Sequence, residues 1–207
     1  MFPKKGNSMA SDAVAVPDSA LAKAATDLLT AAAPQVLVNH CRRTYQFGWA
    51  LGNRRGWKVD RETLYICATL HDLGLTEKYD GPAGFEVQGA AAAESFLIER
   101  GCPPERATLV KDAIALHLDG VAAVNDPRPE VVLTAMGTGL DTHGFRVDEI
   151  DSRFLDKVVE NWPRLGFREW LRRACFDQAE RKPESQVAWW VNGGYMGPDI
   201  GNPPFTE

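Results

Sequence analysis

Apolar residues recur at helical spacing along most of the chain and alternate at strand spacing almost nowhere. Leu21, Ala24, Ala25, Leu28 and Leu29 mark a first helix, entered through the start signals Pro17, Asp18 and Ser19. Pro34 restarts the chain, and Val36, Leu37, Tyr45, Gly48 and Trp49 stripe a second helix of about 18 residues ending near Gly52. Asp60 caps a third helix over 61–73, whose core-type run ends abruptly in the polar pair His71-Asp72. A loop rich in Gly, Pro and Asp is expected over 74–85, then a helix over 86–100 with a small-residue face at Gly89 and Ala90 and a C-cap at Gly101. Further helices are predicted over 103–117 and 130–140, with 119–129 as a loop and Asp141 at the end of the second. Two more lie between 148 and 182, broken near Pro163. The pattern predicts an all-α helical bundle. One domain is expected over 18–192, flanked by a flexible leader at 1–17 and an extended Gly/Pro-rich tail at 193–207.

Composition narrows the class. A chain of 207 residues buries a substantial core without staples. Its 44% hydrophobic and 25% charged residues are ordinary for a soluble protein. The net charge of -5 and the lack of a basic arm give no electrostatic reason to bind nucleic acid. No stretch approaches the ~20 apolar residues of a membrane span, and Lys4 and Lys5 are not followed by the apolar run of a secretory signal. Cys41, Cys67, Cys102 and Cys175 form no CxxC pair and read as reduced thiols, buried where Cys41 and Cys67 fall in apolar helical patterns. A cytoplasmic protein acting on a small molecule is expected, with homo-oligomerisation left open.

Five polar residues sit in otherwise apolar helices or at their ends: His40, His71, Asp72, His117 and Asp141. Each costs on the order of 1–3 kcal/mol if buried alone, and more if charged. An isolated His-Asp pair is more simply a polar helix end, and a single histidine a core or cap residue. Five such residues in one bundle are easier to understand if they converge on a shared divalent ion.

His40, His71-Asp72 and Asp141, in this order on helices, resemble the HD-domain superfamily of metal-dependent phosphohydrolases and hydratases over roughly residues 18–145. The stretches His40-Cys-Arg-Arg-Thr-Tyr-Gln-Phe-Gly48, His71-Asp-Leu-Gly-Leu-Thr76 and Phe85-Glu-Val-Gln-Gly-Ala90 look like the branch containing cyanamide hydratase. The resemblance implies that His40, His71, Asp72 and Asp141 bind one divalent metal. Zinc or iron is expected from the branch, with manganese and nickel compatible. Phe85 stands where two-metal members carry a further histidine, and an apolar ring cannot hold a second ion. Leu75 stands where many phosphohydrolases carry a lysine, which removes a fixed cation for phosphate.

The resemblance therefore implies a hydrolase or hydro-lyase that adds metal-activated water to a small molecule, such as a nitrile like cyanamide. His117 is the expected acid/base, with Lys78 or Thr76 assisting, in a small pocket walled by Phe85 and the aromatics near Tyr45 and Phe47. Alternatives are a phosphohydrolase of nucleotides or phosphomonoesters, and a non-catalytic metal- or partner-binding module. His143, two residues past Asp141, could reach the pocket but reads more simply as a surface residue. Arg42-Arg43 and Arg54-Arg55 could form anion sites but read as solvated faces, and Trp189-Trp190 reads as a packing anchor or dimer contact. Gly137-Thr-Gly139 lacks the strand–turn–helix setting of a phosphate loop.

Overall fold

A computed structural model describes residues 13–194, 205 and 207. Among the described residues the chain is all-α, with ten helices and no strand. They are α1 (Ala20–Ala32), α2 (Gln35–Arg54), α3 (Arg61–Leu70), α4 (Phe85–Glu99), α5 (Pro104–Leu116), α6 (Gly120–Val124), α7 (Pro129–His143), α8 (Ser152–Asn161), α9 (Phe167–Arg181) and α10 (Gln186–Asn192). Short 3-10 turns occupy Leu73–Leu75, Glu77–Tyr79 and Val147–Glu149.

The central pair is α2 against α7. Their backbones touch because small residues face each other across the crossing. A Cβ on Gly137 would stand 2.3 Å from the Thr44 carbonyl oxygen, and one on Gly48 would stand 2.7 Å from that of Leu133. Both contacts step by four residues along each helix, in opposite directions, as antiparallel neighbours require. Continued by one more turn, the same register pairs His40 with Asp141, and those side chains do meet. Packing of small residues thus sets two site residues face to face.

A second close approach positions the His-Asp pair. Asp60 caps α3 by accepting from the Thr63 amide at 2.7 Å. The helix stops at Leu70, earlier than the apolar run suggests, and His71 is its C-cap. The chain then tightens into the 3-10 turn Leu73–Leu75, because a Cβ on Gly74 would stand 2.0 Å from the Phe85 carbonyl oxygen. Only glycine lets the turn lie on the start of α4, where Gly89 also packs against Gly74.

Three other boundaries differ from the sequence pattern. Helix α7 runs through His143, which places Asp141 inside the helix rather than at its end. The 119–129 segment holds the short α6, whose N-terminus Asp119 caps by accepting from the amides of Val121 and Ala122. Residues Gln186–Asn192 form α10, capped by Ser185. The leader is docked in part: Gln46 donates to the Val14 carbonyl at 2.8 Å and accepts from its amide at 2.6 Å. The rest of the leader, 1–12, and residues 195–204 and 206 of the tail lie outside the described residues. Phe205 stacks on Phe47 at 5.7 Å, and Glu207 accepts from Arg164 Nε at 2.9 Å. No helix among the described residues is long and apolar enough to cross a membrane. All four cysteines are free and buried.

Candidate metal centre

Three side chains converge at the centre of the bundle. His40 comes from the second turn of α2, His71 from the C-cap of α3, and Asp72 from the residue after it. His40 Nε2 lies 3.1 Å from His71 Nε2 and 3.4 Å from Asp72 Oδ2, and His71 Nε2 lies 3.3 Å from the same oxygen. His40 and His71 are fully buried and Asp72 nearly so. A tetrahedral ion with bonds of ~2.0–2.2 Å sets its ligand atoms ~3.3–3.6 Å apart, close to this triangle.

The partner of each Nδ1 fixes which ring nitrogen carries the proton. His40 Nδ1 donates to Asp141 Oδ2 at 2.6 Å. His71 Nδ1 donates to the Ala68 carbonyl at 2.9 Å, folding back over the last turn of α3. His117, the C-cap of α5, does the same with the Ile114 carbonyl at 2.6 Å, and its Nε2 lies 3.4 Å from Asp72 Oδ1. Every Nε2 is therefore a lone pair, and all of them face a carboxylate. Buried acceptors meeting with no donor among them are stabilised by a cation, and an imidazole–carboxylate donor set suits a divalent transition ion. Burial pushes the Asp72 carboxyl up, but when protons take the place of an ion the charged His71 and the N–H groups of His117, His40 and His71 outweigh it and hold the group well below the usual carboxylate range.

Asp141 stands outside the triangle, behind the His40 ring. Its Oδ1 accepts from Arg43 Nε at 2.7 Å and Arg164 Nη1 at 3.1 Å. Its Oδ2 accepts from His40 Nδ1 at 2.6 Å and Arg43 Nη2 at 2.8 Å. A carboxylate offers about four lone-pair sites, and all are taken. Burial pushes this carboxyl up, and the Arg43 and His40 contacts more than offset that, so it too stays ionised. Phe167 closes the back of the site: its ring stacks on His40 at 4.3 Å and lies under the guanidinium groups of Arg43 and Arg164.

Thr76 and Lys78 are not brought to the triangle. The Thr76 hydroxyl donates to the Leu73 carbonyl at 2.7 Å, and exposed Lys78 lies over the Tyr79 ring. Phe85 packs against His117 at 5.7 Å. Tyr45 and Phe47 turn to other partners, Tyr65 and Phe205, and do not wall the site.

A cavity of about 390 Å³ opens onto His40, Asp72 and His117. Its walls come from α7, α9, α10 and the segment around α6, and they include His143, Trp190, Leu171 and Thr138. His143 and Trp190 thus line the cavity, while Trp189 is exposed. Sequence reasoning missed Arg43, Arg164, Phe167 and Thr138. Arg43 carried a usable signal: it follows His40 by three residues, on the buried face of α2. Arg164 and Phe167 carried none, because they arrive from a distant segment.

Residues 37–136 match the family model of the HD domain. The chain is also similar to two cyanamide hydratases of Saccharomyces cerevisiae, DDI2 and DDI3. Each is 27% identical over 158 residues, which span 74% of this chain and 68% of theirs.

Proposed function

We infer that this chain, which carries an HD domain over residues 37–136, is a metal-dependent hydratase that adds water to a nitrile. The convergence of three imidazole lone pairs on the buried Asp72 carboxylate carries the reading. Similarity to the two yeast cyanamide hydratases supports the choice of reaction. His40, His71 and Asp72 would hold one divalent ion, zinc or iron being the ions expected. Bound there, the ion supplies a Lewis acid that makes water nucleophilic near neutral pH.

The protein does the rest. Asp141 holds the His40 ring through Nδ1 so that Nε2 points into the triangle, and Arg43 and Arg164 keep Asp141 ionised and in place. His117, its Nδ1 proton fixed on Ile114, presents a basic Nε2 beside Asp72, where it can take a proton from water and return it to the substrate nitrogen. Apolar walls keep bulk water from competing. A phosphate ester fits less well. Arg146 is the cation in the cavity wall, and Glu149 already lies 4.0 Å from it. Free, buried thiols suit a cytoplasmic enzyme.

The test is metal analysis of purified protein, followed by assays on cyanamide, other nitriles and a nucleotide panel. Stoichiometric metal with urea or amide formation is expected. Nucleotide turnover without nitrile turnover, abolished in Asp72→Ala, would overturn the hydratase reading.

A further inference from the structure

The cavity is too large for a compact substrate. At water's share of ~30 Å³ per heavy atom, 390 Å³ holds about 13 such atoms, and a molecule the size of cyanamide fills roughly a quarter of it. The volume falls at the lower end of the ~300–1,000 Å³ typical of pockets for larger organic ligands. Chemistry is confined to one end, where His40, Asp72 and His117 meet. The remaining wall is largely apolar, with Met136, Leu171, Val187, Phe145 and Trp190 contributing.

One polar feature interrupts that wall. Thr138, three residues before Asp141 on α7, lines the cavity and is 7% exposed. Its hydroxyl has no hydrogen-bond partner among the described residues. A buried hydroxyl without a partner is unfavourable, and its place in the wall makes a bound molecule its natural partner. Gly137 packs α7 against α2 and Gly139 makes room for the Phe145 ring, so the Gly-Thr-Gly motif contributes its threonine rather than a phosphate loop.

We propose that the substrate is a nitrile bearing a bulky apolar group, aryl or branched alkyl, held by this wall with Thr138 as a positioning residue. The proposal rests on the hydratase reading and names its substrate class. The reaction balances with water alone. The water oxygen bonds to the nitrile carbon while one C–N π bond breaks toward nitrogen. Nitrogen takes one water proton at once and the second when the oxygen releases it, giving the amide.

The test has two arms. The first compares kcat/KM of metal-loaded protein on cyanamide, acetonitrile, benzonitrile and phenylacetonitrile. The aryl nitriles are expected to exceed acetonitrile by at least ~10-fold, since each buried methylene-sized group contributes several-fold. The second measures calorimetric binding of acetamide and benzamide to protein without added metal. Benzamide is expected to bind at least ~10-fold more tightly, and Thr138→Val to weaken it by about 3–10-fold. Ala135→Phe, which adds bulk to the wall, is expected to cost the aryl nitriles more than acetonitrile. Hydration of cyanamide or acetonitrile at least as fast as the aryl nitriles, with no preference for benzamide, overturns the proposal and leaves the hydratase reading standing. Absence of turnover on every nitrile overturns both.

Discussion

Asp72 is the residue on which three imidazoles close. Replacing it with alanine removes the only formal negative charge in the triangle, so Asp72→Ala is expected to lose stoichiometric metal and all hydration, as read by elemental analysis and amide formation. Asp141 acts one step back. If it works through His40 Nδ1, Asp141→Asn retains metal but binds it about 10–100-fold more weakly in a competition titration. Complete loss of metal would instead make Asp141 a direct ligand. Arg43→Met leaves a buried carboxylate short of two donors and is expected to destabilise the fold by about 3–5 kcal/mol in chemical denaturation. Histidines and carboxylates in apolar helices were legible in the sequence because burial makes them costly. Arg43 was read as solvated, as arginines usually are; its place three residues after His40 marked it as buried but could not name a partner almost a hundred positions away.

At the scale of elements, two glycine seams and one ionic tie set the geometry. Gly137→Ala forces α2 and α7 apart at the turn next to the His40–Asp141 contact. It is expected to cost about 1–3 kcal/mol and to weaken metal binding with it, a coupling that melting and metal titration of one variant would reveal. The loop after the His-Asp pair is held to the end of α9 by Asp80. Lys182 Nζ reaches it at 2.5 Å, Arg181 Nη1 at 2.8 Å and Gln178 Nε2 at 3.2 Å. Burial opposes ionisation there, but the Lys182 and Gln178 hydrogen bonds prevail and lower the Asp80 pKa from the usual 3.8 to about 2. A folded pKa below the unfolded one stabilises the protein above pH ~4, and that contribution fades as pH falls through about 2. Asp80→Asn is therefore expected to melt several degrees below the wild type at pH 7. The gap in Tm should narrow steadily between pH 4 and 2. Helical periodicity announced these elements, yet α6 and α10 were too short for periodicity to mark, and capping by Asp119 and Ser185 creates them.

For the whole molecule, a metal held by His40, His71 and Asp72 would be a stabilising ligand as well as a reagent. Binding at a thousandfold excess over Kd adds about 4 kcal/mol. At 2–4 °C per kcal/mol for a chain of this size, a chelator is expected to lower Tm by about 8–16 °C, reversibly on adding zinc or iron. An unchanged Tm would show that the buried acceptors are satisfied without an ion. What the sequence by itself determined was the all-α class, the order of the long helices and the buried polar residues. Each follows from local spacing or from the cost of burying a polar group. What only the tertiary structure decided was how those residues are used. Asp141 turns behind His40 because two arginines from separate segments fill its lone pairs. The cavity exceeds a compact substrate because α9 and α10 close over the site at a distance from it. No spacing rule encodes such contacts, since they depend on how far apart packed helices come to rest.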